Sequence, residues 1–306
     1  MAARDKKTAI IGTINPEIIT GPLNEILPWG RLICSPCTKV IYAGSAARVA
    51  FPLKKLGYTN VAIFSVVGTD HFAEACLREL KSWEIGTDGI ERLDNRRTAS
   101  CIAIVRNDAQ RLYISDLEIL KCCDDRYLSR QFERLAAFDF VLLTGLFVIP
   151  GLTSNGVRAL FERLRARNIV TLLDPGWRFA EWSDSEAADF DRLLKVTDYI
   201  LPNHDEIIQF TGRQGDALEL MQALRAKGAL NIVLKLGQQG AACLVGDKYC
   251  VVDPVKIKPL DTTAAGECFN AGVLHGLSAA MEPQHMLEFA NRLAAHYVAT
   301  GEYRCS

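Results

Sequence analysis

The chain lacks any apolar run near the roughly 20 residues that a membrane-crossing helix needs, so no transmembrane segment is expected. It also lacks an excess of charge. With 35 basic and 36 acidic side chains the net charge is -1, which argues against a surface built for nucleic acid or another polyanion. The opening stretch "MAARDKKTAIIG" passes from charged residues straight into a strand-like run. It shows no secretory h-region or cleavage site, and the expected location is the cytoplasm. No internal repeat and no low-complexity linker interrupts the sequence. Paired cysteine motifs are scarce. Of 10 cysteines, only Cys34 and Cys37 form a C-x-x-C, with no second pair or histidine pair at zinc-finger spacing. Reduced thiols are the expectation without a secretory leader, and a metal or redox role for Cys34 and Cys37 is the weaker alternative.

What is present is ordinary material for one α/β unit spanning 1–306: 49% apolar and 23% charged residues. Short, nearly continuous apolar runs recur at 8–14, 60–68, 140–147, 169–175, 199–203 and 231–237. Runs of that length read as strands buried on both faces. Helix-patterned stretches lie between them, including 71–83, 155–168 and 216–228. In 155–168, Val157, Leu160, Phe161 and Leu164 recur at helical spacing. The alternation predicts a doubly wound, mainly parallel sheet flanked by helices. Segments 30–44 and 98–116 have strand composition without the intervening helix, and "NDAQ" marks a turn in the second. Hairpins fit them better than βαβ units. With residues 14–20 they would form a small separate β-sheet, placed as a lid.

The stretch "DTTAAGECFNAG" (261–272) reads as a tight turn entering a helix whose inward face carries Phe269, Val273, Leu274 and Leu277. Small residues at such a start let backbone N–H groups approach an anion closely. A carboxylate in that first turn, Glu267, faces whatever those groups hold. It can accept a hydroxyl proton while the amides stabilise developing phosphoryl charge. The alternative is that Glu267 only complements the helix dipole.

These residues carry a resemblance. "DTTAAGECFNAG" is similar to the C-terminal signature of the PfkB, or ribokinase-like, carbohydrate kinases, D-T-x-[GA]-A-G-D-x-F-x-x-G, with the family's catalytic Asp falling at Glu267. Other segments resemble family motifs in the same order: "YAGSAARVAFPLKKLG" (42–57), "VVGTDHFAEACLRELKSWEIGTDGI" (66–90), "LPNHDEIIQFTG" (201–212) and "VLKLGQQGAAC" (233–243). The resemblance implies a ribokinase-like fold and phosphoryl transfer from ATP with Mg²⁺ to a small-molecule acceptor. It implies Glu267 as base, with Ala265 and Gly266 as anion hole. Asn203, Lys235, Gly237, Gly240 and Asn291 would serve the nucleotide, and Glu206 would reach Mg²⁺ through water. Asn15, Glu17, Gly44 and Arg48 fall on the acceptor side. Asp261 and Thr263 fall where many members bind a monovalent cation such as K⁺. A lid with unpaired strand edges could also join two copies into a homodimer.

Departures from the family pattern gather on the acceptor side. Glu17 stands where the family has an Asp, Arg48 where it has an Asn, and Gly176 replaces the Asn of D-x-N-x-R in "DPGWR" (174–178). An extra methylene at Glu267 moves the carboxylate by up to ~1.5 Å, and about 1 Å of misplacement can remove roughly 10²-fold in rate. Two readings stand. The acceptor pocket has shifted to match, since Glu17 makes the same one-carbon change, or the chain binds nucleotide or sugar as a sensor or scaffold without turnover. A guanidinium at 48 favours a carboxylate or phosphate over neutral hydroxyls, which points to an anionic acceptor unless Arg48 turns out to solvent.

Overall fold

The computed structural model describes residues 3–23, 30–107, 111–259 and 262–301. In chain order its strands and helices are β1 (Thr8–Ile11), β2 (Pro16–Thr20), β3 (Thr38–Tyr42), α1 (Ser45–Lys55), β4 (Val61–Val67), α2 (His71–Ser82), β5 (Gly86–Arg92), β6 (Ser100–Val105), β7 (Arg111–Asp116), α3 (Asp125–Leu135), β8 (Phe140–Thr144), α4 (Ser154–Arg165), β9 (Val170–Asp174), α5 (Asp184–Leu194), β10 (Tyr199–Ile200), α6 (His204–Thr211), α7 (Ala217–Ala226), β11 (Asn231–Lys235), β12 (Ala241–Val245), β13 (Lys248–Val252), α8 (Ala265–Ser278) and α9 (Pro283–Thr300).

Each apolar run of the sequence becomes a strand shorter than the run. The 8–14 segment pairs only over Thr8–Ile11, because Gly12 onward turns away into β2. The main sheet has the order β13-β12-β11-β10-β9-β8-β1-β4-β5. It is parallel from β5 to β11, and β12 and β13 add an antiparallel edge. That edge hairpin and strand β5 escape the apolar-run pattern, since β5 and β13 carry polar residues on exposed positions.

Alternate residues of the central strands feed two cores. Ala9 and Ile11 of β1 pack with α3, α4, α5, α6 and α7 on one side. Ile10 points the other way, toward α1, α2, α8 and α9. Helix α8 is buried nearly all round, including Cys268, Asn270 and Gly272, and Leu277 is less buried than the expected inward face required. It lies between the sheet, α1 and α9, and stays only partly buried at its two ends, residues 265–267 and 277–278.

The lid is a second sheet of order β3-β2-β6-β7. Its strands fall inside the three expected segments, although residues 31–37 form no strand. Strand β2 pairs antiparallel with β3 and parallel with β6, and β6 pairs antiparallel with β7. The residue row Ile41, Glu17, Cys101 and Ser115 crosses all four strands, and Glu17, Cys101 and Ser115 of it line the cavity beneath. The adjacent row, Val40, Ile18, Ile102 and Ile114, lies on the opposite face, as the two-residue period requires. None of the helices among the described residues is long and apolar enough to cross a membrane.

Candidate functional site

The site is built at the carboxyl ends of β1, β8, β9 and β11, where open α/β sheets place their ligands. Helix α8 starts there after a turn in which Ala264 takes a left-handed conformation, φ 64, and no side chain caps the helix. The amide of Ala265 leans on Thr262 O at 3.4 Å. The first-turn amides of such a helix have no intrahelical acceptor and carry the positive end of its dipole. Ala265, Gly266 and Glu267 line a cavity of about 680 Å³. Burial raises the pKa of Glu267 above its ordinary value; the Arg48 charge opposes this and the Asp174 charge adds to it.

Beside the helix start lies a cluster that sequence reasoning largely missed. Lys235 Nζ donates to Asp174 Oδ1 at 2.8 Å and to Asn270 Oδ1 at 3.4 Å. The second oxygen of Asp174 accepts from Asn270 Nδ2 at 2.7 Å and from Thr144 Oγ1 at 3.0 Å. Burial works against the Lys235 charge, but Asp174 and Glu206 outweigh it and hold the ammonium above the usual lysine range. Two signals were legible: Thr144 ends an otherwise apolar strand, and Asp174 puts a charge at the end of a mostly apolar one. Asn270 gave only the oddity of an amide inside an apolar helix.

Asn203 and Glu206 do what their spacing allows at a helix start. The Asn203 side chain accepts from the Glu206 amide at 2.8 Å, and the Glu206 carboxylate accepts from the Asn203 amide at 2.9 Å. They form the cap of α6, and both also line the cavity. Only one carboxylate oxygen of Glu206 is used in the cap. Burial pushes Glu206 up to about 7, with Lys235 opposing and Asp174 adding to the shift.

On the lid side, Arg48 is 2% exposed, so the solvent-facing alternative is wrong. Its Nε donates to Glu17 Oε1 at 2.9 Å, its Nη2 to Glu17 Oε2, and its Nη1 to Tyr297 OH at 3.1 Å. The carboxylate that suits this guanidinium is therefore Glu17 itself, and the argument from Arg48 to an anionic acceptor loses its basis. The two changes from the family pattern compensate each other: a longer acid at 17 reaches the cation at 48 across 31 residues of sequence. Gly44 joins them, its amide donating to Glu17 Oε1 at 3.2 Å. At φ 82 a side chain there would strike Thr13 O and Asn15 Oδ1. Asn15 is buried, lines the cavity and donates to Pro16 O at 3.2 Å.

Three expected nucleotide residues do not line the cavity. Gly237 has open space around it, as a ligand-facing turn would. Gly240 has another explanation: a Cβ there would stand 2.1 Å from Val252 O, so the close approach of β13 demands glycine. Asn291, on α9, donates to Asp253 O at 2.8 Å. Thr263 is buried and lines the cavity, while Asp261 lies outside the described residues. The lid adds residues that the sequence did not single out: Cys101, Arg111, Tyr113 and Ser115 all line the cavity. Among the described residues no group of three or more His, Cys, Asp or Glu side chains is placed to hold a metal ion.

Comparison with known proteins agrees with the fold. Residues 11–303 match the model of the pfkB family carbohydrate kinases. An uncharacterized sugar kinase of Archaeoglobus fulgidus is 26% identical over 244 residues, 79% of this chain and 92% of that protein. The deoxyribokinase of Salmonella typhi is 26% identical over 265 residues, 85% of this chain and 82% of that protein. Among solved structures, a putative ribokinase II from Escherichia coli superposes with TM-score 0.81 at 20% identity, covering 96% of this chain and 93% of that one. Ribokinase from Thermotoga maritima superposes with TM-score 0.76 at 18% identity, covering 97% and 94%. Those likenesses establish the ribokinase fold with its separate small sheet. By the match over nearly its whole length, the chain belongs to the pfkB family of carbohydrate kinases, and its reaction class is phosphoryl transfer to an alcohol.

Proposed function

We propose that this protein transfers the γ-phosphoryl group of ATP to a hydroxyl of a sugar or sugar-like acceptor, with Glu267 as the general base. The observation that carries the reading is the placement of Glu267 and the uncapped start of α8 on one cavity with Glu206 and Lys235, under the lid. Glu267 takes the proton of the acceptor hydroxyl as its oxygen bonds to the γ-phosphorus. The bond to the β,γ-bridging oxygen breaks, and ADP leaves with that electron pair. Amides of Ala265 and Gly266 meet the charge on the transferred oxygens. Closing the lid excludes water and suppresses hydrolysis of ATP.

A relative of the same fold was solved with ATP and Mg²⁺, and the donor set here suits that pair. Mg²⁺ keeps most of its waters and needs only one or two carboxylates beside the phosphates, which matches Glu206 with no protein cage for a metal among the described residues. When bound it neutralises phosphate charge. A monovalent cation beside Thr263 belongs to the same reading and is checked by the K⁺ dependence of the rate. The cytoplasm, where ATP is supplied and thiols stay reduced, suits the chemistry.

A second reading is favoured by the closed Glu17–Arg48 pair, which occupies both oxygens of an acceptor-side carboxylate. In it the chain binds nucleotide or sugar as a sensor or scaffold and does not turn over. One assay separates the two: purified protein, ATP and Mg²⁺ with a panel of sugars, nucleosides and acidic sugars, following ADP. We expect turnover on at least one acceptor, a loss of about 10²–10⁴-fold in Glu267→Gln, and a loss of roughly 10²-fold in Glu267→Asp. Silence on every acceptor, with Glu267→Asp gaining activity, supports the sensor.

A further inference from the structure

The kinase reading leaves the buried cluster around Lys235 with no more than a general place on the nucleotide side. Its geometry is more specific. An ammonium has three N–H donors, and two of those on Lys235 face Asp174 and Asn270. The same Nζ stands 3.9 Å from the point where a Cβ on Gly266 would lie, beside the first turn of α8. Of the cations among the described residues lining the cavity (Arg48, Arg111 and Lys235), Arg48 faces Glu17 and Arg111 sits on the lid strand β7. Lys235 is the cation next to the anion-binding helix start.

We propose that Lys235 is a catalytic residue whose remaining N–H meets the γ-phosphoryl group, and that Asp174, Asn270 and Thr144 are positioning residues that fix its direction. The fixing is reciprocal. Asn270 accepts from Lys235 and donates to Asp174, and Thr144 holds the same Asp174 oxygen, so a lysine with a flexible stem is given one direction. The cluster thus adds a fixed positive charge to the α8 amides at the point where negative charge gathers during transfer. This inference rests on the kinase reading, and its test separates the two.

The test needs no acceptor. The whole protein is titrated calorimetrically with Mg·ADP and with the Mg²⁺ complex of the β,γ-methylene analogue of ATP, and the ratio of the two dissociation constants is taken. A charge-assisted contact to the γ-phosphoryl predicts that Lys235→Met lowers the preference for the analogue by roughly tenfold or more. ADP affinity should stay within about twofold of the wild type, because ADP lacks the contacted group. Asn270→Ala, which keeps both charges, should lower the preference by a smaller factor of about three, as a loosened lysine would. Since Lys235→Met leaves Asp174 buried without its cation, Asp174→Asn with Lys235→Met supplies a neutral version that folds without that penalty, and it should lack the preference equally. An unchanged ratio, or equal weakening of both nucleotides, in the Lys235 variants overturns the proposal while the kinase reading stands. An unchanged ratio in Asn270→Ala overturns the positioning part. A wild type that binds neither nucleotide overturns both readings together.

Discussion

At the scale of the residue, two buried charges decide the character of the site. Glu17 and Arg48 have been removed from water together; the Gly44 amide also donates to Glu17, and Arg48 also donates to Tyr297 OH. Such pairs contribute little net stability while intact, but removing one partner leaves the other charge buried. Arg48→Met should therefore destabilise by about 3–5 kcal/mol, read by chemical denaturation, and adding Glu17→Gln to that variant should restore most of the loss. An Arg48→Met protein as stable as the wild type would mean that Glu17 is solvated. Glu206 makes a different prediction. Its folded value, about 7, lies above the usual carboxylate range, so the folded state holds the proton more tightly than the unfolded chain. Its contribution to stability is full at acid pH and is lost as pH rises through about 7. Glu206→Gln stays neutral and can still accept at the cap. It should melt with the wild type at pH 4 and above it at pH 8, whereas parallel melting curves across that range would contradict the buried, proton-holding carboxylate.

At the scale of the element, helix α8 illustrates how local geometry and burial are reconciled. Its entry requires a left-handed residue, and the chain supplies Ala264 where glycine would carry no penalty. Ala264→Gly should stabilise the protein by up to about 1 kcal/mol, the relief of strain less the added freedom of the unfolded chain. A destabilised Ala264→Gly in urea titration would show that the alanine methyl, packed with Cys268 and Tyr297, outweighs the strain. Element types were legible because the period of burial follows the period of the backbone. The 155–168 pattern became α4 at Ser154–Arg165, with Val157, Leu160, Phe161 and Leu164 all buried. Helices α3 and α5 went unread, although Tyr127, Leu128, Phe132 and Leu135 of α3 already recur at helical spacing and are buried together.

At the scale of the whole molecule, the outer face of the lid is the feature that an isolated chain does not explain. Val40, Ile102 and Ile114 stand 46%, 38% and 55% exposed in one row with Ile18. Contiguous apolar surface of that kind marks an association site. The homodimer expected from the sequence would let this row cover itself across a twofold axis. Sedimentation equilibrium should give a dimer for the wild type and a monomer for Ile102→Lys with Ile114→Lys. A wild type that is monomeric at every concentration removes the proposal.

The sequence by itself determined the alternation of buried strands and amphipathic helices, the lid segments and the stretch that opens α8, because each is a local pattern of residue type against backbone period. The tertiary structure alone decided what the charged groups do. Arg48 meets Tyr297 across 249 positions and Asn270 meets Asp174 across 96. A buried charge is defined by its partner, and no local pattern names a partner that distant. The guanidinium that suggested an anionic acceptor is satisfied from within, and Asp174, held by Thr144 at the end of the neighbouring strand, meets a lysine beside the helix start.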